Sequence, residues 1–370
     1  MKIAFLSGAY KNSGDFLIEK RAIEIIKYVY PQCDIVRILR KNIKEYISEI
    51  NNSDVAVIGG GPIFQSSLEK YMPLDFFVQS VKIPTIILGG GWYGDTGSSC
   101  EMAKYSFDAK TISFLKKVYE AGLGFSCRDI HTVNVLKRNG FSDAFMTGCP
   151  AWYDIGCVND TDFRRGNTDI KDIVMSDPAK TYNLEGSKVV VNYLREKYPN
   201  ASIKFLFHRG IQSDELTSNK TGEKLKLFTQ FLRDSGIEFK DISYGAGGFS
   251  EYDNCDLHVG YRVHAHIYNL SIRNKSILIE EDGRGAGVNQ ALGLPAIRAY
   301  DDRRVITNKR LSRILRSTGN MSNAALVDEL DTYLSILETT KFSYIQSAFA
   351  MQKQFFEYMK AYVGRIENLL

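Results

Sequence analysis

Short apolar runs alternate with longer amphipathic stretches through the first half of the chain. Residues 3–6 read as a buried strand closed by Ser7-Gly8. Residues 13–30 read as a helix, because Phe16, Ile23, Ile26 and Val29 recur near helical spacing. Residues 33–39 predict a second strand, 42–50 a second helix, and 55–58 a strand ended by Gly59-Gly60-Gly61. Residues 85–88 predict a strand ended by Gly89-Gly90-Gly91, and strands over 125–127 and 143–147 follow. Strands separated by helices predict a parallel, doubly wound sheet.

The rhythm then restarts. Strands are expected over 170–176, 202–207, 238–242, 255–260, 276–280 and 296–300, with helices over 184–197 and 223–234. The Asp-, Asn-, Gly- and Arg-rich stretch 154–167 reads as a linker, and from about residue 303 the pattern becomes helical. The expected architecture is α/β: two Rossmann-like domains with parallel sheets, facing each other across a cleft. The first spans 1–155, the second 168–300, and a helical tail over 301–370 packs back on the first.

A length of 370 residues, with 44% hydrophobic and 24% charged, fits two ordinary cores and argues against disorder. A formal charge of +4 does not point to nucleic acid, yet leaves room for a locally basic pocket. The six cysteines form no Cys-x-x-Cys pair, which argues against a zinc knuckle or redox motif. No signal peptide opens the sequence, and no apolar run approaches the roughly 20 residues needed to span a bilayer. A cytoplasmic enzyme is expected. The tail residues Phe355, Phe356, Tyr358 and Met359 are expected to pack on the first domain. A homo-oligomer contact and attachment to the inner face of a membrane are the alternatives.

Ligands of open parallel sheets gather outside the carboxyl ends of the strands. Three first-half loops are expected there, over 8–15, 59–62 and 89–95, and none is a dinucleotide fingerprint or a P-loop. The glycines either make tight turns or form a wall on which Asn12, Gly14, Asp15, Trp92, Tyr93 and Asp95 meet an acceptor. In the second half, His258, His264 and His266 fall within nine residues. Val263, Ile267 and Leu270 share a helical face, so a helix is expected to start near Arg262, placing Arg262 and His264 beside unpaired N–H groups. An arginine there grips a carboxylate or phosphate in parallel bonds, and a histidine supplies a proton. His266 and His258 read as structural, and no spacing supports a metal site. His208-Arg209-Gly210 and Asp282-Gly283-Arg284 offer further cations, and 177–180 a weaker one.

These stretches resemble the polysaccharide pyruvyl transferase family. The resemblance rests on Asn12-Ser13-Gly14-Asp15, Gly59-Gly60-Gly61, Arg128-Asp129 with Leu136 and Gly140, and Thr147-Gly148-Cys149-Pro150-Ala151. It continues through Arg262-Val263-His264, Glu281-Asp282-Gly283-Arg284 and Leu292-Gly293-Leu294-Pro295, in the family's order from residue 1 to about 300. Cys149 stands where many members have aspartate, and Arg284 where lysine is common. The resemblance implies a GT-B-like fold and transfer of a pyruvyl group from phosphoenolpyruvate to sugar hydroxyls in surface or capsular polysaccharide synthesis. Carried over, Arg262 and His264 serve the donor; the chemistry of a doubly anionic donor, read from the residues themselves, adds Arg284, Arg209 and His208 as further donor contacts. His264 is the general acid, and Asp15 or Asp95 the base. No metal or other cofactor is required, because arginines can stabilise the departing phosphate. The partners expected are phosphoenolpyruvate and a sugar or glycan, lipid-linked or free, and no nucleic acid. A glycosyltransferase using a nucleotide sugar, with Glu280, Glu281 or Asp282 on the ribose, is the rival reading. A non-catalytic sugar- or anion-binding protein is the third.

Overall fold

The computed structural model describes residues 1–95, 98–166, 169–299 and 323–370. The helical pattern expected over 301–322 lies outside them, as do Tyr300 of the last expected strand and Asn167 of the linker. The chain divides into two units. One comprises Met1–Tyr10, Asp15–Asn159 and Met351–Leu370, the other Lys11–Gly14 and Asp160–Ala350.

The first unit holds a six-stranded parallel sheet in the order β2-β1-β3-β4-β5-β6. Its strands are β1 (Lys2–Ser7), β2 (Asp34–Leu39), β3 (Val55–Phe64), β4 (Thr85–Trp92), β5 (Phe125–Cys127) and β6 (Ala144–Met146). Helix α1 (Ser13–Val29) follows β1. Only a short helix, α2 (Ile47–Asn51), forms where a longer one is expected. β3 and β4 run straight through the glycine clusters instead of ending at them, pairing Gly61 with Gly90 and Phe64 with Trp92. Packing explains this. A Cβ on Gly90 would lie 2.5 Å from the Phe64 ring and 2.6 Å from Ile63, so large side chains fill the space above the glycines. Gly61 and Gly89 take φ of +75° and +64°, which accommodates the irregular register.

The last twenty residues complete this unit. Phe356 and Met359 are buried. Tyr30 Oη donates to the Gly364 carbonyl at 2.7 Å, and Tyr362 Oη to that of Gly124 at 3.2 Å. Tyr358 is exposed. Among the described residues no helix is long and apolar enough to cross a membrane.

The second unit repeats the theme with the strand order β12-β11-β10-β7-β8-β9. The strands are β7 (Asp172–Ser176), β8 (Ser202–Phe207), β9 (Glu238–Asp241), β10 (Leu257–Gly260), β11 (Lys275–Glu280) and β12 (Ile297–Arg298). Ser218 caps the helix Asn219–Asp234, its side chain accepting from the Thr221 N–H, which starts that helix earlier than apolar spacing alone predicts. The helix Asn323–Thr339 packs on the same unit through Tyr193 and Lys197, both bonded to Asp331. Two elements position chemistry: the helices Val263–Ser271 and Gly283–Leu292, which follow β10 and β11.

Candidate active site

The site grows out of the end of β10. Gly260 passes so close to Ser176 of β7 that a Cβ would overlap Ser176 Oγ, an approach only glycine permits. The chain then enters the helix Val263–Ser271 with Arg262 as its N-cap residue. The Arg262 N–H donates to Ser176 Oγ at 3.2 Å. Its guanidinium grips Asp177, Nε donating to Oδ1 at 2.7 Å and Nη2 to Oδ2. Burial pulls the arginine pKa down, and Asp177 more than offsets this, so the guanidinium stays charged.

A second helix N-terminus meets the first. Asp282 caps the helix Gly283–Leu292, accepting the Arg284 N–H at 3.0 Å and holding its Nη2 at 2.7 Å. Arg262, His264, Arg284, Asn12, Ala179 and Glu281 line the pocket between these helix starts. First-turn N–H groups without intrahelical partners therefore face it, together with two arginines. Each arginine is already matched by a carboxylate. The pocket offers directed donors more than net positive charge.

Glu281 accepts from Asn183 Nδ2 at 2.7 Å and from the Ala179 and Lys180 N–H groups at 2.7 and 3.0 Å. Burial nevertheless pushes its carboxyl up to about 7, against the pull of Asn183 and Arg262. A folded-state pKa above the ordinary 4.5 means stability that is complete below 4.5 and lost as pH rises through 7. Denaturant unfolding near pH 5 and near pH 8 should therefore show wild type losing on the order of 3 kcal/mol that Glu281→Gln does not lose. Parallel losses in the two proteins would mean that the three N–H donors outweigh burial.

Residues Lys11–Gly14 pack with the second unit. Lys11 is buried in an ion pair with Asp214 and donates to Thr217 Oγ1 at 2.6 Å. Ser13 N–H donates to the His208 carbonyl at 3.0 Å, and Ser13 Oγ bonds His208 Nδ1 at 2.7 Å. So anchored, Asn12 lines the pocket and Gly14 lies against His264, where a Cβ would overlap the imidazole. Asn12 and Gly14, expected on a first-domain acceptor wall, thus belong with the groups expected to bind the donor.

The histidines separate clearly. His264, half-buried in the first turn of its helix, lines the pocket. His208 does not serve as a donor-binding cation. It is fully buried between Ser13 and Tyr252, and burial, with Arg262 nearby, drives its pKa well below the ordinary 6.5. His258 and His266 share Ser276 Oγ at 2.7 and 2.8 Å in a buried network, as structural histidines do. Arg209 is exposed and does not line the pocket. Among the described residues no group of three or more His, Cys, Asp or Glu is placed to hold a metal ion.

The other expected acceptor residues lie in the first unit. Asp15 is half-buried in the first turn of α1. Tyr93 is half-buried and Asp95 exposed, beyond the end of β4. Trp92 is a correction: only 1% exposed, it packs edge-on against Tyr105 and His131 and serves the core. Cys149 is buried, which pushes its thiol up to about 11 and keeps it protonated. Sequence reading missed the Asp177 clamp on Arg262. The signal available was an aspartate at a strand's carboxyl end, but not its partner.

The sequence model of one family, described as polysaccharide pyruvyl transferase, matches residues 12–268. No match was found among curated proteins. Among solved structures, S. aureus MnaA with UDP is similar at a TM-score of 0.56 and 12% identity, over 100% of this chain and 97% of that one. HepE from Anabaena, in complex with UDP and glucose, is similar at 0.54 and 10%, over 100% of both chains. At such identities the likeness concerns the fold, which is GT-B-like: two parallel-sheet α/β units and a helical C-terminal region.

Proposed function

The chain belongs to the polysaccharide pyruvyl transferase family, and on that premise we propose that it transfers the pyruvyl group of phosphoenolpyruvate to a sugar, forming a ketal. The observation that carries this reading is the pocket of the second unit, where two helix N-termini converge with Arg262, Arg284 and His264. Phosphoenolpyruvate bears a carboxylate and a phosphate on one small frame, so it needs donors converging from more than one direction. The clamp by Asp177 fixes the plane of the Arg262 guanidinium, which leaves Nη1 to meet the ligand.

His264 protonates the methylene carbon, making the adjacent carbon electrophilic. A sugar hydroxyl attacks that carbon and gives its proton to a base, assigned to Asp15 with Asp95 as the alternative. The bond to the phosphate oxygen then breaks and inorganic phosphate departs, its charge met by the arginines and helix N–H groups. A second hydroxyl of the same sugar closes the ketal and releases its proton. The sum is phosphoenolpyruvate plus a diol giving ketal plus phosphate. The His264 Nδ1 edge lies on Gly14, so proton delivery falls to the opposite edge.

Thermal unfolding tests the reading. Phosphoenolpyruvate at about 100 times its Kd should stabilise the protein by about 2.7 kcal/mol, a shift of several degrees that Arg284→Ala diminishes. The MnaA and HepE structures contain UDP. Stabilisation by a UDP-sugar, with none by phosphoenolpyruvate, would favour the glycosyltransferase reading instead.

A further inference from the structure

In the first unit, β1 and β2 are parallel neighbours, with Ser7 paired to Leu39 at their carboxyl ends. The first residues past the two strands are Gly8 and Arg40. The Arg40 guanidinium packs directly on Gly8, so that a Cβ there would overlap Nη2 and lie 2.5 Å from Cζ. Its Nε is buried without a hydrogen-bond partner. No carboxylate among the described residues forms an ion pair with it, and Asp15 and Tyr10 act on it only at longer range. Burial accordingly lowers its pKa. The residue as a whole is half-buried, and a guanidinium whose buried Nε goes without a hydrogen bond costs stability, so this one is placed for something that arrives from outside.

The surroundings indicate what arrives. Lys41 is exposed, and its ammonium stands 4.9 Å from the centre of the half-buried Tyr10 ring. The Lys41 N–H also donates to Tyr10 Oη at 3.3 Å. One cation thus stands over an aromatic ring, and its chain neighbour Arg40 packs on Gly8, at the carboxyl edge of a parallel sheet, where ligands of such sheets bind. An arginine fork and a neighbouring ammonium suit a multiply charged phosphate better than a single carboxylate. The aromatic ring suits a sugar face.

We propose that Arg40, Lys41 and Tyr10 form a second anion site, and that its occupant is a phosphate-bearing sugar. Naming that occupant the acceptor rests on the pyruvyl-transfer reading; the anion site itself does not. The phosphate belongs either to a sugar phosphate or to inorganic phosphate taken up alone, and the test separates them.

Calorimetric titrations with glucose 1-phosphate, glucose, glucuronate and inorganic phosphate, with and without saturating phosphoenolpyruvate, read the site directly. Glucose 1-phosphate should bind at least about tenfold more tightly than glucose and than inorganic phosphate. Arg40→Gln should abolish that preference and leave phosphoenolpyruvate binding unchanged, while Arg40→Lys retains part of it. The preference surviving in Arg40→Gln, or absent from wild type, overturns the proposal. Inorganic phosphate or glucuronate binding as tightly as glucose 1-phosphate overturns the assignment of the occupant. Arg40→Met in phosphate-free buffer should melt no lower than wild type, and a lower melting temperature would make Arg40 a structural residue. Should phosphoenolpyruvate bind no variant, the transfer reading falls while the Arg40-dependent preference still reads.

Discussion

Arg262→Ala is expected to abolish turnover, by more than about 100-fold, and to destabilise the protein by about 3–5 kcal/mol. The two losses have different origins. The arginine and Asp177 are 9% and 3% exposed, so truncating one partner strands the other's charge in the interior. Turnover is lost because the fork that Asp177 holds in plane disappears from the pocket. Pairing Arg262→Met with Asp177→Asn separates them, since removing both charges should recover most of the stability and none of the activity. Urea unfolding and phosphate release from phosphoenolpyruvate are the measurements. Activity recovered along with stability would reduce Arg262 to a structural part.

Gly14→Ala should lower kcat by roughly 100- to 10,000-fold, the loss expected for His264→Ala, with little change in donor affinity. An added Cβ overlaps the His264 ring, and the glycine's segment cannot easily retreat. Lys11 is tied to Asp214 and Thr217, and Ser13 to His208 through backbone and side chain. The imidazole must therefore move, and a displaced general acid fails in proton transfer before it fails in binding. A matched rise in Kd for phosphoenolpyruvate would assign His264 to holding the donor instead. Unchanged kcat would remove it from the mechanism.

How much of this was legible in the sequence depended on the range of the interaction. Helical spacing of Val263, Ile267 and Leu270 located the helix start at Arg262, because periodicity is local. The glycine clusters read locally as strand ends, yet both strands continue through them. Glycine usually weakens a strand, but here the Phe64 and Ile63 side chains cover Gly90, information carried by a neighbouring strand. The grouping of Lys11–Gly14 with the second half depended on Lys11 finding Asp214 at a separation of 203 residues. His208 sits at the carboxyl end of β8, as expected, and faces inward to Ser13 and Tyr252. Strand alternation gives two faces, and nothing local says which one meets solvent.

The last twenty residues pack into the first unit, and this bears on the order in which the chain can mature. Translation delivers the N-terminal sequence first, at about 5–20 residues per second. The second unit has all its parts, Lys11–Gly14 included, once Ala350 has emerged. The first unit, although begun earlier, still waits for Phe356, Met359 and Tyr362 to cover its interior. The half synthesised first is thus the half finished last.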